Sequence, residues 1–399
     1  MSRGKVSLLV HDVHAPTVGA AIRLARLIAE TWDVEIVGPD LGHGVCSMYR
    51  EAFPIKAVQC PRLYRFPDYF FELRKLLKAV SGDVVVAFKA YADTVSLALK
   101  YRRKTGAWVI ACLDEWDGAL WHGMDAWEKA GHLARHLYHP LSEWCAPRVE
   151  RQLVRCDQVV SSTTFLQKKF GGQVLPMGVD CSFFKPQPES VTQKLRRQWG
   201  LTDKVIIGFG GVVRPHKGIE PYLDAVAGIN DVDVRFAVFG PRTQYLESLI
   251  QRPAYRDRIL CIGVAEHETS DLNSQVHRHM PAYLGMADML VVSLADTLLA
   301  RSQMPIKVFE AMAMARPILA ADVSDLPDIL EGCGWINTPA DVSGIRSSIQ
   351  AILEQPREAS RRAQRAREKC IKRYDAEIVR GQWIDMLAAV SSEQKRIPA

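Results

Sequence analysis

Residues Pro305 to Asp322 read PIKVFEAMAMARPILAAD, and this stretch decides the fold. From Val308 to Ala315 the chain is apolar on nearly every side except at Glu310, the pattern of a helix buried all round. Pro305 suits the first turn of such a helix. Residues 318–320 then form a short apolar run. A buried helix feeding a strand without a polar face belongs to a parallel sheet covered on both sides.

The same alternation repeats outward. Apolar, β-branched runs occur at residues 6–10, 34–37, 84–88, 108–113 and 159–161, and again at 205–209, 234–239, 259–262, 289–293 and 318–320. Between them lie stretches of helical period, as in 218–228, where Ile219, Tyr222, Leu223 and Val226 recur at i, i+3, i+4 and i+7. Two such series predict two Rossmann-like parallel-sheet domains of the α/β class. The Pro- and Ser-containing segment KPQPES at 185–190 marks the break. The expected domains are residues 1–187 and 188–373, with 374–399 a final helix that crosses back to the first.

Composition narrows the function. The 399 residues are 48% hydrophobic and 24% charged, a globular mixture. A formal charge of +6, from 51 basic and 45 acidic residues, is small and spread along the chain. That argues against nucleic acid and suits anionic small substrates or a peripheral association with an acidic membrane surface. The basic segment at 357–373 reads as a solvated helix face. Nine cysteines are scattered and never form C-x-x-C, which argues against a disulfide framework and structural zinc. No run approaches the ~20 apolar residues of a membrane span. The expected location is the cytoplasm, at most on the inner face of a membrane. The segment at 116–144 gathers Trp116, Trp121, Trp127, Tyr138 and Trp144 with four histidines. Such aromatics line an acceptor groove, sit at a membrane interface, or pack between domains.

Phosphate chemistry is written in FGGVVRPHKGI, from Phe209 to Ile219. The glycines, Gly210 and Gly211, let a ligand approach the backbone, and the following helix offers free N–H groups. Arg214 and Lys217 add two full charges, each charge-assisted hydrogen bond contributing roughly 1.5–3 kcal/mol. The segment is neither a Walker loop nor a G-x-G-x-x-G turn; alone, it is also compatible with a plain basic loop. Glu310, in a greasy helix, needs a partner: Lys307 three residues earlier, or the paired hydroxyls of a ribose.

Taken in order, these segments resemble the retaining GT-B glycosyltransferases, specifically glycosyltransferase family 4 (group 1). The helix with Glu310–Ala313, Pro317 and the strand after it is similar to that family's donor-binding helix. FGGVVRPHKG resembles its glycine–arginine–x–lysine–glycine segment, and VLPMGVDCSFFKP, from Val174 to Pro186, the segment before its second domain. The resemblance implies two domains facing each other across a cleft, and transfer of a hexose-type sugar with retention and without metal. No cofactor is implied beyond a nucleotide-diphospho-sugar donor. The acceptor would be a saccharide, lipid-linked or small molecule. Arg214, Lys217 and Glu310 would be catalytic, and Gly210, Gly211, Ser302, Gln303, Met304 and Lys307 would complete the donor site. Gly19, in APTVGAA, is similar to a glycine loop facing the donor. The chain departs from the family where Ser302 replaces its first glutamate, where Val212 replaces an arginine, and where Ala315 replaces a glycine.

The N-terminal half carries ACLDEWDGALWHG, from Ala111 to Gly123, after a strand. Asp114 and Asp117, with His14 and Lys89 at other strand ends, are expected to face the acceptor; His11 and Asp12 are placed similarly. Two alternatives stay open: a catalytically silent sugar-nucleotide-binding module, and a glycoside hydrolase using Asp114 and Asp117.

Overall fold

The computed structural model describes residues 3–15, 17–46, 49–50, 52–262 and 270–394. By its contacts the chain divides into two compact units, one of Met1–Met177, Ser302–Met304 and Val379–Ala399, the other of Gly178–Arg301 and Pro305–Ile378.

The first unit is built on seven strands: β1 (Lys5–Leu9), β2 (Asp33–Asp40), β3 (Ile55–Gln59), β4 (Val84–Phe88), β5 (Trp108–Leu113), β6 (Gln158–Ser161) and β7 (Gln173–Val174). Their order is β3-β2-β1-β4-β5-β6-β7, and every pairing is parallel. On β1, Leu8 pairs with Ile36 on one side and Val86 on the other. Both neighbours and Leu8 are fully buried, which is why these runs carry no polar alternation. One side is closed by helix Val18–Ile28. The C-terminal helix, Ala376–Gln394, adds Val379, Trp383, Leu387 and Val390 to the same core at helical spacing. Burying each such side chain contributes about 1.5–3 kcal/mol.

The second unit holds six strands: β8 (Val205–Gly210), β9 (Val234–Phe239), β10 (Ile259–Ile262), β11 (Met289–Val292), β12 (Ile318–Ala321) and β13 (Trp335–Asn337). They lie in the order β10-β9-β8-β11-β12-β13, again all parallel. The helix expected from Pro305 onward spans Lys307–Ala313, with Val308, Phe309, Ala311, Met312 and Ala313 buried and Glu310 at its half-open edge. The basic helix, Pro356–Arg373, buries Ala359, Ala363, Ala366 and Cys370 while Arg357, Arg361 and Arg365 stay exposed.

The apolar runs read from the sequence are ten of these strands, and β3, β7 and β13 are additions. All three additions are edge strands, covered on fewer sides, so their sequences lack a continuous apolar run. Among the described residues no helix is long and apolar enough to cross a membrane. All nine cysteines are free thiols.

Candidate functional site

In the second unit, β8 ends at Gly210, and Gly211 turns the chain with φ of +103°. A Cβ at Gly211 would lie 2.6 Å from the Lys307 Nζ, a side-chain tip that can shift, so it is the left-handed conformation that calls for glycine. Val213 anchors the loop in the core. The chain then presents Arg214, which is exposed, and a tight 3₁₀ turn, Pro215–Lys217. From the other side, helix Lys307–Ala313 brings Lys307 over the Phe209 ring, with Nζ 4.6 Å from its centroid.

A cavity of about 210 Å³ opens here, lined by Phe209, Lys217, Val292, Ser293, Pro305, Ile306 and Lys307. Its electrostatics are one-sided. Burial, then repulsion from Lys217 and Arg214, pushes the Lys307 ammonium down to about 7, with Glu310 partly holding it up. At the end of β11, Ser293 is buried, and no described residue hydrogen-bonds its hydroxyl. A buried unsatisfied hydroxyl costs about 1–3 kcal/mol. Clustered cations and an orphan donor suit an anionic, oxygen-rich ligand. The Ser293 position carries no sequence motif beyond its place at a strand end.

Ser302, Gln303 and Met304 group with the first unit. Ser302 is fully buried; its hydroxyl accepts the Trp116 N–H at 2.8 Å, and its carbonyl accepts from Thr163 at 3.3 Å. Gln303 donates its side-chain amide to Glu115. Ser302 and Gln303, expected with Met304 to hold a donor sugar, make these protein contacts.

In the first unit the strand ends carry acid. Lys89, buried after β4 in a left-handed conformation with φ of +66°, is ringed by three carboxylates from the end of β5. It bonds Glu115, lies 3.0 Å from Asp117 and is 3.7 Å from Asp114. Burial opposes its charge, but the carboxylates outweigh that and raise its pKa. Asp114 is pushed up by burial despite Lys89, and no described group hydrogen-bonds its Oδ1. Lys89, expected to face an acceptor, pairs here with the carboxylates around it.

Beside this cluster, the His11 Nδ1 sits 2.9 Å from both oxygens of buried Asp93, and its ring stacks on Tyr91 at 4.0 Å. Burial acts against protonation, yet Asp93 prevails and raises the His11 pKa. His11, Tyr64, Tyr91, Asp117 and His139 line a cavity of about 230 Å³. The His139 Nδ1 is buried with no hydrogen bond from a described residue. Aromatic faces with imidazole and carboxylate groups suit a polyhydroxylated ligand. Asp93 has no motif to announce it; only its place after a strand does. His14 lies exposed, its N–H bonded to Asp12. Gly19 is buried against Tyr49, whose hydroxyl would lie 2.4 Å from a Cβ there, so packing alone demands that glycine. Among the described residues no three His, Cys, Asp or Glu side chains are grouped to hold a metal ion.

Two Rossmann-like units with all-parallel sheets and chemistry at the strand ends define the GT-B class of glycosyltransferase fold. The structure superposes on sucrose-phosphate synthase from Thermosynechococcus elongatus with a TM-score of 0.73 at 17% identity, covering 98% of this chain and 100% of that one. On HepE from Anabaena, solved with UDP-glucose, the TM-score is 0.74 at 15% identity, covering 97% and 100%. In sequence, the chain is 26% identical over 184 residues to the alpha-D-kanosaminyltransferase of Streptomyces kanamyceticus. That match covers 45% of this chain and 44% of the relative, so it spans less than half of either. Residues 203–355, all but three of them in the second unit, match the family described as Glycosyl transferases group 1.

Proposed function

We propose that this chain is a glycosyltransferase whose second unit holds a nucleotide-diphospho-sugar. The observation that carries the reading is one cavity lined by Lys217 and Lys307, where burial, then repulsion from Lys217 and Arg214, pushes Lys307 down to about 7. A diphosphate relieves that repulsion. Glu310 then takes the ribose hydroxyls, and Ser293 bonds a ligand oxygen. Support comes from the group 1 match and from relatives whose names include a kanosaminyltransferase and a mannosyltransferase. A structural neighbour was solved with UDP-glucose.

In the step proposed, the bond from the anomeric carbon to the diphosphate oxygen breaks, its electron pair leaving with the nucleotide. Arg214 and Lys217 stabilise that growing charge, a task that elsewhere falls to a metal ion. The acceptor oxygen bonds the same face of the carbon and gives its proton to the departing phosphate, so configuration is retained. The first unit takes the acceptor, a saccharide, lipid-linked or small molecule, in the cavity lined by His11, Tyr91 and Asp117.

The test is a thermal-shift screen of the whole chain against UDP-, GDP-, ADP- and dTDP-sugars, then transfer assays with the stabilising donor. Binding stabilises by about 2.7 kcal/mol at a hundredfold excess over Kd. Stabilisation by one nucleotide class, lost in Lys217→Ala, is the expected result. No stabilisation by any of the four, or full binding and transfer in both Lys217→Ala and Glu310→Ala, refutes the reading.

A further inference from the structure

Helix Ala126–His136 in the first unit is amphipathic and folded inside out. It is a well-made helix: Asp125 caps the Glu128 N–H, and Glu128 returns the bond to the Asp125 N–H, both at 2.8 Å. Yet none of its residues is buried. At 3.6 residues per turn, one face gathers Ala126, Trp127, Ala130, Leu133 and Ala134, continued by Leu137 and Tyr138; the other carries Lys129, His132 and His136. The polar face is the one against the protein. The His132 Nε2 bonds the Ser142 hydroxyl at 2.8 Å and meets Glu143 at 3.1 Å. Lys129 sits over the Trp121 ring, and Trp144 donates to the His136 carbonyl. The apolar face is bare: Trp127 is 87% exposed, Leu137 60% and Tyr138 58%. A helix on a globular surface normally hides this side.

The bare face continues onto a second element. The Tyr138 carbonyl accepts the Phe66 N–H, and Phe66 packs on Phe70 in helix Tyr69–Ala79. There Phe70 and Phe71 are 56% and 61% exposed. Between residues 61 and 79, five basic residues (Arg62, Arg65, Arg74, Lys75 and Lys78) stand against two acidic ones, Asp68 and Glu72, the latter buried under Lys75. Arg74 lies over the Phe71 ring.

We infer that this face lies on the surface of an anionic lipid bilayer, with Trp127, Leu137, Tyr138, Phe70 and Phe71 at the headgroup boundary. Arg62, Arg65, Arg74 and Lys78 meet the lipid phosphates. Aromatic and leucine side chains ringed by lysine and arginine are what interfacial helices insert. The charge decides between this and a second copy of the chain. A two-fold contact would lay the basic flank against itself, whereas an acidic bilayer attracts it. The inference does not depend on the proposed reaction.

The test is flotation of the full chain with vesicles of equimolar phosphatidylcholine and phosphatidylglycerol, beside vesicles of phosphatidylcholine alone. The chain should float with the anionic vesicles and far less with the neutral ones. The triple variant Phe71→Ser, Trp127→Ser, Leu137→Ser, altered only at exposed positions and checked by circular dichroism, should bind about tenfold more weakly or worse. Arg65→Glu with Arg74→Glu should lose binding to anionic vesicles. Failure of the parent chain to float, equal flotation with neutral vesicles, or undiminished binding by the folded triple variant overturns the inference. So does a dimer, seen by sedimentation, that the triple variant abolishes while vesicles are ignored.

Discussion

The two units put their charged groups in the same place, at the carboxyl ends of parallel strands, and give them opposite sign. In the first, Asp114, Glu115 and Asp117 surround Lys89. In the second, Lys217 and Lys307 line a cavity, and Arg214 and Glu310 act on Lys307 from beside it. A lysine is at the centre of each, and its pKa moves in opposite directions: Lys89 up, Lys307 down. Lys89 has more counter-charge than it needs and is fixed in the fold. Lys307 is buried beside two cations, with Glu310 only partly offsetting them. A lysine near a strand end is therefore no guide to a ligand until its neighbours are counted.

The largest effect expected from this contrast is on stability. Lys89→Met leaves three clustered carboxylates without their cation, and breaking a buried pair this way costs about 3–5 kcal/mol. Urea unfolding at neutral pH should show that loss, partly recovered at acid pH as the carboxylates protonate. Lys307→Met should cost far less, because it removes a charge the fold already disfavours. Equal losses would mean that the two lysines differ less than their surroundings indicate.

Next in size is transfer itself. Lys217→Ala and Glu310→Ala should each lower kcat by about 10²–10³, the usual effect of removing one group that stabilises charge in a transition state. Their unfolding curves should stay near the parent's. A collapse in stability instead would assign these residues to the fold, like Lys89.

A smaller effect follows from Lys307 in the free protein. Its pKa of about 7 should rise when a diphosphate arrives, so binding takes up a proton wherever the pH lies between the free and bound values. Affinity should then fall as pH climbs above about 7, by at most about tenfold per unit, until the bound form also deprotonates. Calorimetry of UDP binding at pH 8, in buffers of different ionisation enthalpy, should show uptake of up to about one proton. Folding has the opposite sign: the unfolded chain holds this proton more tightly, so the penalty at Lys307 is full below 7 and eases as pH rises towards the ordinary lysine range. Proton release on binding would contradict the cation cluster.

How far the sequence disclosed these differences depends on what kind of signal each left. Buried strands announced themselves because both faces are covered and every residue is apolar, as in Val84–Phe88. The edge strand Ile55–Gln59, half-exposed throughout, did not. Arg214, Lys217 and Glu310 sit in long segments with recognisable order, whereas Ser293 and Asp93 are single residues whose partners are distant in the chain. Lys89 was legible as a strand-end lysine, but its three carboxylates arrive from the next strand and reverse its meaning. Helix Ala126–His136 lies in a segment legible only as a cluster of aromatics and histidines, and such a cluster does not say which face the protein covers.

The smallest effect is at the backbone, and it returns to the two lysines' surroundings. Lys89 and Ala315 both adopt left-handed conformations, with φ of +66° and +49°. Each costs about 1–2 kcal/mol for an L residue. At Lys89 the side chain justifies that strain by binding carboxylates. Ala315, just past helix Lys307–Ala313, has only a methyl group to set against it. Glycine there removes the strain but adds about 0.5–1 kcal/mol of unfolded-state entropy, so Ala315→Gly should gain about 0.5–1 kcal/mol net, while Lys89→Gly should lose several. Thermal melts resolve a shift of about 1–3 °C for such a gain. If Ala315→Gly melts lower than the parent, its methyl group contributes more by packing than the left-handed turn costs, and the two positions are alike after all.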